Sequence, residues 1–132
     1  MSTPSATHLP ARFAGWFTAR GWTPHAHQLE MLAAAQAGAS ALLIAPTGGG
    51  KTLAGFLPSL VELAERLAAG ESPGLHTLYI SPLKALAVDV HRNLEQPIAE
   101  MGLPINAETR TGDTPTSKRQ RQRRRPPHLL MT

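Results

Sequence analysis

Apolar positions along this chain follow two rhythms that alternate. Leu9, Phe13, Trp16 and Phe17 fall at helical spacing, so a first helix is predicted up to Arg20, with Gly21 as its stop. Thr23-Pro24 has the form of an N-cap followed by proline at the first helical position. A second helix is therefore predicted through Leu29, Leu32 and Ala33, ending at Gly38. The run Ala41-Leu42-Leu43-Ile44-Ala45 is apolar without a break, the pattern of a strand covered on both faces in a parallel sheet. Beyond a loop from Pro46 to Gly50, a helix should open at about Lys51 and carry Leu53, Phe56, Leu57, Leu60, Leu63, Ala64 and Leu67 toward the core. Pro58 lies inside it and is expected to bend or break it locally.

The same alternation continues downstream. Gly70 to Gly74 is turn-rich, Thr77-Leu78-Tyr79-Ile80-Ser81 is a second strand, and Leu83, Leu86, Ala87, Val90 and Leu94 repeat at helical spacing. Pro104 to Thr109 can hold a third strand. Thr114-Pro115 repeats the cap-plus-proline start, Pro126-Pro127 ends the helix it opens, and His128 to Thr132 begins one more strand. Strands alternating with helices imply right-handed crossovers and a parallel sheet with helices on both faces. Residues 1–8 carry no such pattern and are expected to be a flexible N-terminus, leaving 9–132 as one globular region.

Composition narrows the class. At 132 residues there is room for one domain, and a hydrophobic fraction of 42% argues against disorder throughout. The aromatic fraction is 5%, so the core must be built from Leu, Ala, Ile and Val. Cysteine is absent, which excludes disulfides and thiolate-bound metal. No apolar run approaches the roughly 20 residues of a membrane span, and Met1-Ser2-Thr3-Pro4 lacks the charged-then-apolar order of a secretion signal; a cytoplasmic location is expected. The net charge is +4, and Lys118 to Arg125 holds six of the positive charges. Such a run could touch phosphates or form a solvated helix face.

The chemistry is concentrated in Ala45-Pro46-Thr47-Gly48-Gly49-Gly50-Lys51-Thr52. It follows a predicted buried strand and opens a predicted helix, which is the setting a phosphate loop requires. Glycines let backbone N–H groups turn inward around a triphosphate with no Cβ in the way, and a helix N-terminus adds its positive end to the same anion. Lys51 should place its ammonium on the β- and γ-phosphates, and Thr52 should offer its hydroxyl to Mg²⁺. Thr47, Gly48, Gly49 and Gly50 complete the cradle for the phosphates of a nucleotide, without saying which nucleotide.

Alanine stands where such loops usually begin with glycine, giving A-x-x-G-x-G-K-T, a form that resembles the superfamily 2 DEAD- and DEXH-box helicases. Gly21-Trp22-Thr23-Pro24-His25-Ala26-His27-Gln28 resembles their Q motif, and Ser81-Pro82-Leu83-Lys84-Ala85-Leu86-Ala87 their motif Ia. Thr109-Arg110-Thr111-Gly112-Asp113-Thr114 resembles a motif of large helicase-related (Lhr-type) enzymes. Within that group the wording is similar to the bacterial ligase-associated DEXH-box DNA helicases, over roughly residues 9 to 132. The resemblance implies an incomplete RecA-like sheet, the N-terminal part of the first of two motor domains, and an ATP-driven 3′-to-5′ DNA helicase of DNA repair. It implies that Gln28 hydrogen-bonds adenine and that Pro82, Lys84, Arg110, Thr111 and Asp113 lie along a single-strand track. Trp22 or Phe13 would stack near the base. Implied partners are single-stranded DNA or a duplex with a 3′ tail, and ligase and nuclease repair proteins.

Each assignment has a plainer competitor. Gln28 could be a surface glutamine, Lys84 a helix-start lysine, Phe13, Trp16 and Phe17 core, and Arg110 and Asp113 an ion pair fixing a turn. His25 and His27 have no third ligand nearby in sequence, which favours a cap or surface role over metal. No D-E-x-H cluster follows the phosphate loop: Asp89, Glu95 and Glu100 lie on a predicted helix at unsuitable spacing, and Asp113 follows the third strand. Hydrolysis needs such an acidic motif to hold Mg²⁺ and orient water, so this chain is expected to be a helicase fragment cut before it. A non-catalytic nucleic-acid-binding module using the basic run is the alternative; a kinase or GTPase lacks support because no N-K-x-D guanine reader is present.

Overall fold

Three short strands, β1 (Thr77–Tyr79), β2 (Ala107–Thr109) and β3 (Leu129–Met131), form a parallel sheet in the order β1-β3-β2. Thr77 and Ala107 both stand opposite Leu129, and Tyr79 and Thr109 both stand opposite Met131. The computed structural model has five helices among the described residues: α1 (Ala11–Ala19), α2 (Ala26–Gln36), α3 (Lys51–Ala68), α4 (Lys84–Glu100) and α5 (Thr116–Arg124). The structure describes residues 9–46 and 50–132, and the chain divides into two compact units after Val61. The expectation of a flexible N-terminus over residues 1–8 lies outside the described residues.

In the second unit the core follows from strand order. β3 is flanked on both sides, so Leu129 and Met131 are wholly buried. Helix α4 packs against β2 and β3 and buries Ala87, Val90, Leu94 and Ile98, a stripe at helical spacing. Leu83 and Leu86, expected on that stripe, are exposed: Leu83 is the N-cap residue with an extended backbone, one step before the helical repeat begins. The entry to β3 is pinned by the Asn106 N–H, which donates to His128 Nδ1 at 2.9 Å. Accepting that bond requires an unprotonated Nδ1, and burial, with the neighbouring His76, pushes the imidazole pKa down.

In the first unit α1 buries Phe13, Trp16 and Phe17 as one stripe. Gly21 and Gly38 follow α1 and α2 with positive φ, as expected of helix stops. Helix α2 begins two residues later than its proline signal suggested: His25 is the N-cap and Pro24 precedes it. Thr114-Pro115 behaves alike, Pro115 being the N-cap of α5 while the Thr114 hydroxyl accepts the Thr111 N–H at 2.9 Å.

Two further expectations are revised, a break at Pro58 and a strand at 41–45. Helix α3 runs unbroken through Pro58; proline removes one N–H, and the apolar stripe of Phe56, Leu57, Leu60, Val61 and Leu63 is buried on both sides of it. The segment 41–45 is not a strand among the described residues. A strand exists only when a neighbour takes its backbone N–H and C=O groups, and no described segment does so here; Leu42 and Ile44 are 84% and 86% exposed.

Leu129→Ala removes a wholly buried side chain from the central strand and should cost about 2–5 kcal/mol, read as a lower urea midpoint. Leu78→Ala on the exposed face of β1 should move that midpoint by no more than about 0.5 kcal/mol.

Candidate functional site

The start of α3 is built around Gly50 and Gln28. Gln28, on the first turn of α2, is 2% exposed. Its Oε1 accepts the His25 backbone N–H at 2.8 Å and its Nε2 donates to the Gly50 carbonyl at 3.3 Å. That carbonyl also accepts the Ala54 N–H at 3.0 Å, the first intrahelical bond of α3. Gly50 is glycine for two separate reasons. Its φ is +78°, a region that side chains rarely adopt, and a Cβ there would lie 2.7 Å from Gln28 Nε2 and 3.2 Å from His25 Cδ2. Gln28 thus replaces the space of a side chain at position 50 and ties α2 to the mouth of α3.

Lys51 and Thr52 open α3 and are exposed, and no acid occupies its first turn. The first N–H groups of a helix have no intrahelical acceptor, so this terminus presents donors, a lysine and a hydroxyl with no competing carboxylate beside them. Those features fit a phosphate chain with its metal. Thr47, Gly48 and Gly49 lie outside the described residues. Phe13 is 2% exposed and cannot stack on a base. Trp22 is half exposed, set edge-to-face against Trp16 at 5.7 Å, with the Arg20 guanidinium 4.4 Å above its ring. His25 caps α2, and its ring stacks on His27.

The predicted track residues gather at the C-terminal ends of β1 and β2. Lys84, at the start of α4, donates to the Asp113 carboxylate, which the ammonium holds below its ordinary pKa. Pro82 is exposed just before that helix. Thr111 closes a turn: its N–H donates to Thr114 Oγ1, and its hydroxyl accepts the Asp113 N–H at 3.2 Å. Arg110 does not pair with Asp113. Its Nη1 donates to the Arg119 carbonyl at 3.1 Å and toward Gln122 Oε1 at 3.5 Å.

Behind that loop is a polar network the sequence did not disclose. Gln122 of α5 is buried and donates to Glu108 Oε1 at 2.9 Å and to the Thr109 carbonyl at 3.1 Å. Arg121 Nη2 reaches the same Glu108 oxygen at 2.6 Å, and Asn106 Nδ2 donates to the other at 3.0 Å. Burial pushes the Glu108 carboxyl up, but these three donors outweigh it and bring the pKa down to about 2. The available signal was a carboxylate inside a predicted strand, which must find donors when it is covered.

A parallel sheet with helices, a Gly-Lys-Thr at a helix mouth and a buried glutamine on that glycine define part of a RecA-like phosphate-loop domain. Comparison with known proteins sharpens this. Residues 25–132 match the DEAD/DEAH box helicase family. An Lhr helicase/probable uracil glycosylase of Mycolicibacterium smegmatis is 43% identical over 127 residues, covering 89% of this chain and 8% of the relative. An ATP-dependent helicase Lhr-Core of Methanothermobacter thermautotrophicus is 41% identical over 105 residues, covering 72% of this chain and 12% of the relative. The crystal structure of the DUF1998 helicase MrfA bound to DNA and AMPPNP superposes with a TM-score of 0.79 at 31% identity, over 98% of this chain and 17% of MrfA. The chain belongs to the DEAD/DEAH box helicase family, and it spans only about a tenth of the length of these Lhr relatives.

Gly50→Ala should cost about 1–3 kcal/mol of stability through positive φ, read by urea melts. For Glu108 the ordinary pKa is 4.5 and the folded value about 2, so its contribution is complete above the ordinary value and lost as pH falls toward the folded one. The gap in urea midpoint between the unsubstituted chain and Glu108→Gln should therefore narrow as pH is lowered across that window.

Proposed function

We propose that residues 9–132 are the N-terminal part of the first RecA-like domain of an ATP-driven 3′-to-5′ DNA helicase of DNA repair. In this reading they supply nucleotide binding and part of the single-strand track. The observation that carries it is the bond from Gln28 to the Gly50 carbonyl, which joins a Q-motif glutamine to the residue preceding Lys51.

In this reading Gly48, Gly49, Gly50 and Thr47 cradle the phosphates, Lys51 neutralises the β- and γ-phosphates, and Thr52 holds Mg²⁺. Hydrolysis of MgATP to ADP and phosphate by the whole protein would supply the free energy for translocation. Gln28 keeps one N–H and one lone pair beyond the bonds described, the donor–acceptor pair that matches an adenine edge. Pro82, Lys84, Arg110, Thr111 and Asp113 contribute the track. The Lys84 ammonium is exposed and held by an equally exposed carboxylate, an exchangeable partner for a phosphate. Arg110 acts here chiefly by fixing the loop to α5. The whole protein would act in the cytoplasm on single-stranded DNA or a 3′-tailed duplex, beside a DNA ligase and a nuclease. No helix among the described residues is long and apolar enough to cross a membrane.

The 132-residue chain is expected to bind MgATP weakly and not to hydrolyse it. Its acids after the loop are not arranged as a metal-holding cluster: on α4, Asp89 faces Arg92 at 3.9 Å and Glu95 faces His91 at 3.2 Å. Lys51→Ala should abolish MgATP binding in a calorimetric titration while leaving the urea midpoint unchanged, since the side chain is exposed. Unaltered nucleotide binding in that variant would remove the phosphate-loop assignment, and DNA-stimulated turnover by the pure chain would overturn the expected inactivity.

A further inference from the structure

The six cations between Lys118 and Arg125 do not form one patch. Arg121 is spent on Glu108, Arg119 Nη2 donates to the Thr111 carbonyl, and the Arg119 carbonyl receives Arg110. With buried Gln122 between them, these bonds fasten one side of α5 to β2 and to the loop after it. A helix turns about 100° per residue, so Gln120, Arg123 and Arg124 share the opposite side as an i, i+3, i+4 set. They line a cleft of about 450 Å³. Arg123, Arg124 and Arg125 are exposed, and none of them has a carboxylate partner among the described residues.

We infer that this outward face of α5 is a second nucleic-acid contact, gripping the phosphate backbone away from the track at Lys84 and Arg110 to Asp113. It rests on the reading of the chain as part of a DNA helicase. Guanidinium forks match phosphate oxygens bidentately, and the Gln120 amide adds neutral donors. Cations near a helix C-terminus also oppose its dipole, but that effect needs no shared cleft. From Gln120 to Arg124 the outward set rises about 6 Å at 1.5 Å per residue. Phosphates of one strand advance about 3.4 Å each along a duplex axis, so the set spans about two of them, which suits a repeating polyanion. The inner face gives the outer one rigidity, because the arginines project from a helix held in place by side-chain bonds from Arg110, Arg119, Arg121 and Gln122.

The test is the salt dependence of binding to a 3′-tailed DNA duplex, followed by fluorescence anisotropy with the full chain. Each phosphate contact contributes about 0.9 to the slope of log affinity against log salt on duplex DNA. The triple variant R123Q/R124Q/R125Q should flatten the slope by about 2 to 3 on that scale and weaken binding roughly tenfold near 0.1 M salt, whereas R123K/R124K/R125K should keep the slope. Should the glutamine triple fail to fold, R123Q and R124Q taken singly carry the same test, each flattening the slope by about 0.9. An unchanged slope in the glutamine variants, alongside a flattened one in Lys84→Ala, overturns this inference and leaves the proposed function standing. Absence of any DNA binding by the unsubstituted chain at low salt overturns both.

Discussion

Everything in the second unit depends on β3 taking hydrogen bonds from both sides. A parallel strand pair is slightly weaker per residue than an antiparallel one, and strands of three residues offer few bonds. The sheet therefore relies on Leu129 and Met131 being wholly covered and on α4 lying across β2 and β3. The shared register aligns the C-terminal ends of β1 and β2. Because they end level, the segment before α4 and the turn after β2 emerge on one side, and Lys84 can reach Asp113. The candidate track is a consequence of register before it is a consequence of charge.

The first unit uses a different economy of contacts. One glutamine side chain, through its two ends, joins the N-terminus of α2 to the carbonyl that also starts α3. A polar group buried this deeply must be hydrogen-bonded, and here the bonds make the helix start depend on the absence of a side chain at position 50. The geometry of the mouth of α3 is tied to a residue 22 positions upstream by a neutral hydrogen bond.

Much of this was legible in the sequence where local pattern and tertiary role agree. The stripes Phe13-Trp16-Phe17 and Ala87-Val90-Leu94 read as helices and are buried as such. The Gly-Lys-Thr reads as a helix mouth, and Gln28 was singled out by its motif, though its bond to Gly50 was not foreseen. Proline signals ran one or two residues early, because Pro24 and Pro115 are accepted outside the helix as readily as at its first position. The segment 41–45 shows the limit: an apolar run states that a strand would be buried if neighbours were present, and the pattern carries no information on the neighbours. The Glu108–Arg121–Gln122 network was hidden for a related reason. Within a run of cations one glutamine looks like all the other solvated positions, until the helix phase fixes which residue turns inward.

Strand order also sets a clock. Leu129 follows its partner Thr77 by 52 positions and its partner Ala107 by 22. At a synthesis rate of roughly 5–20 residues per second, β1 exists for about 3–10 s before the strand that completes it has been made. During that interval the backbone groups of Thr77, Leu78 and Tyr79 that β3 later pairs have no partner strand. Slower translation between β1 and β3 lengthens that unpaired interval in direct proportion.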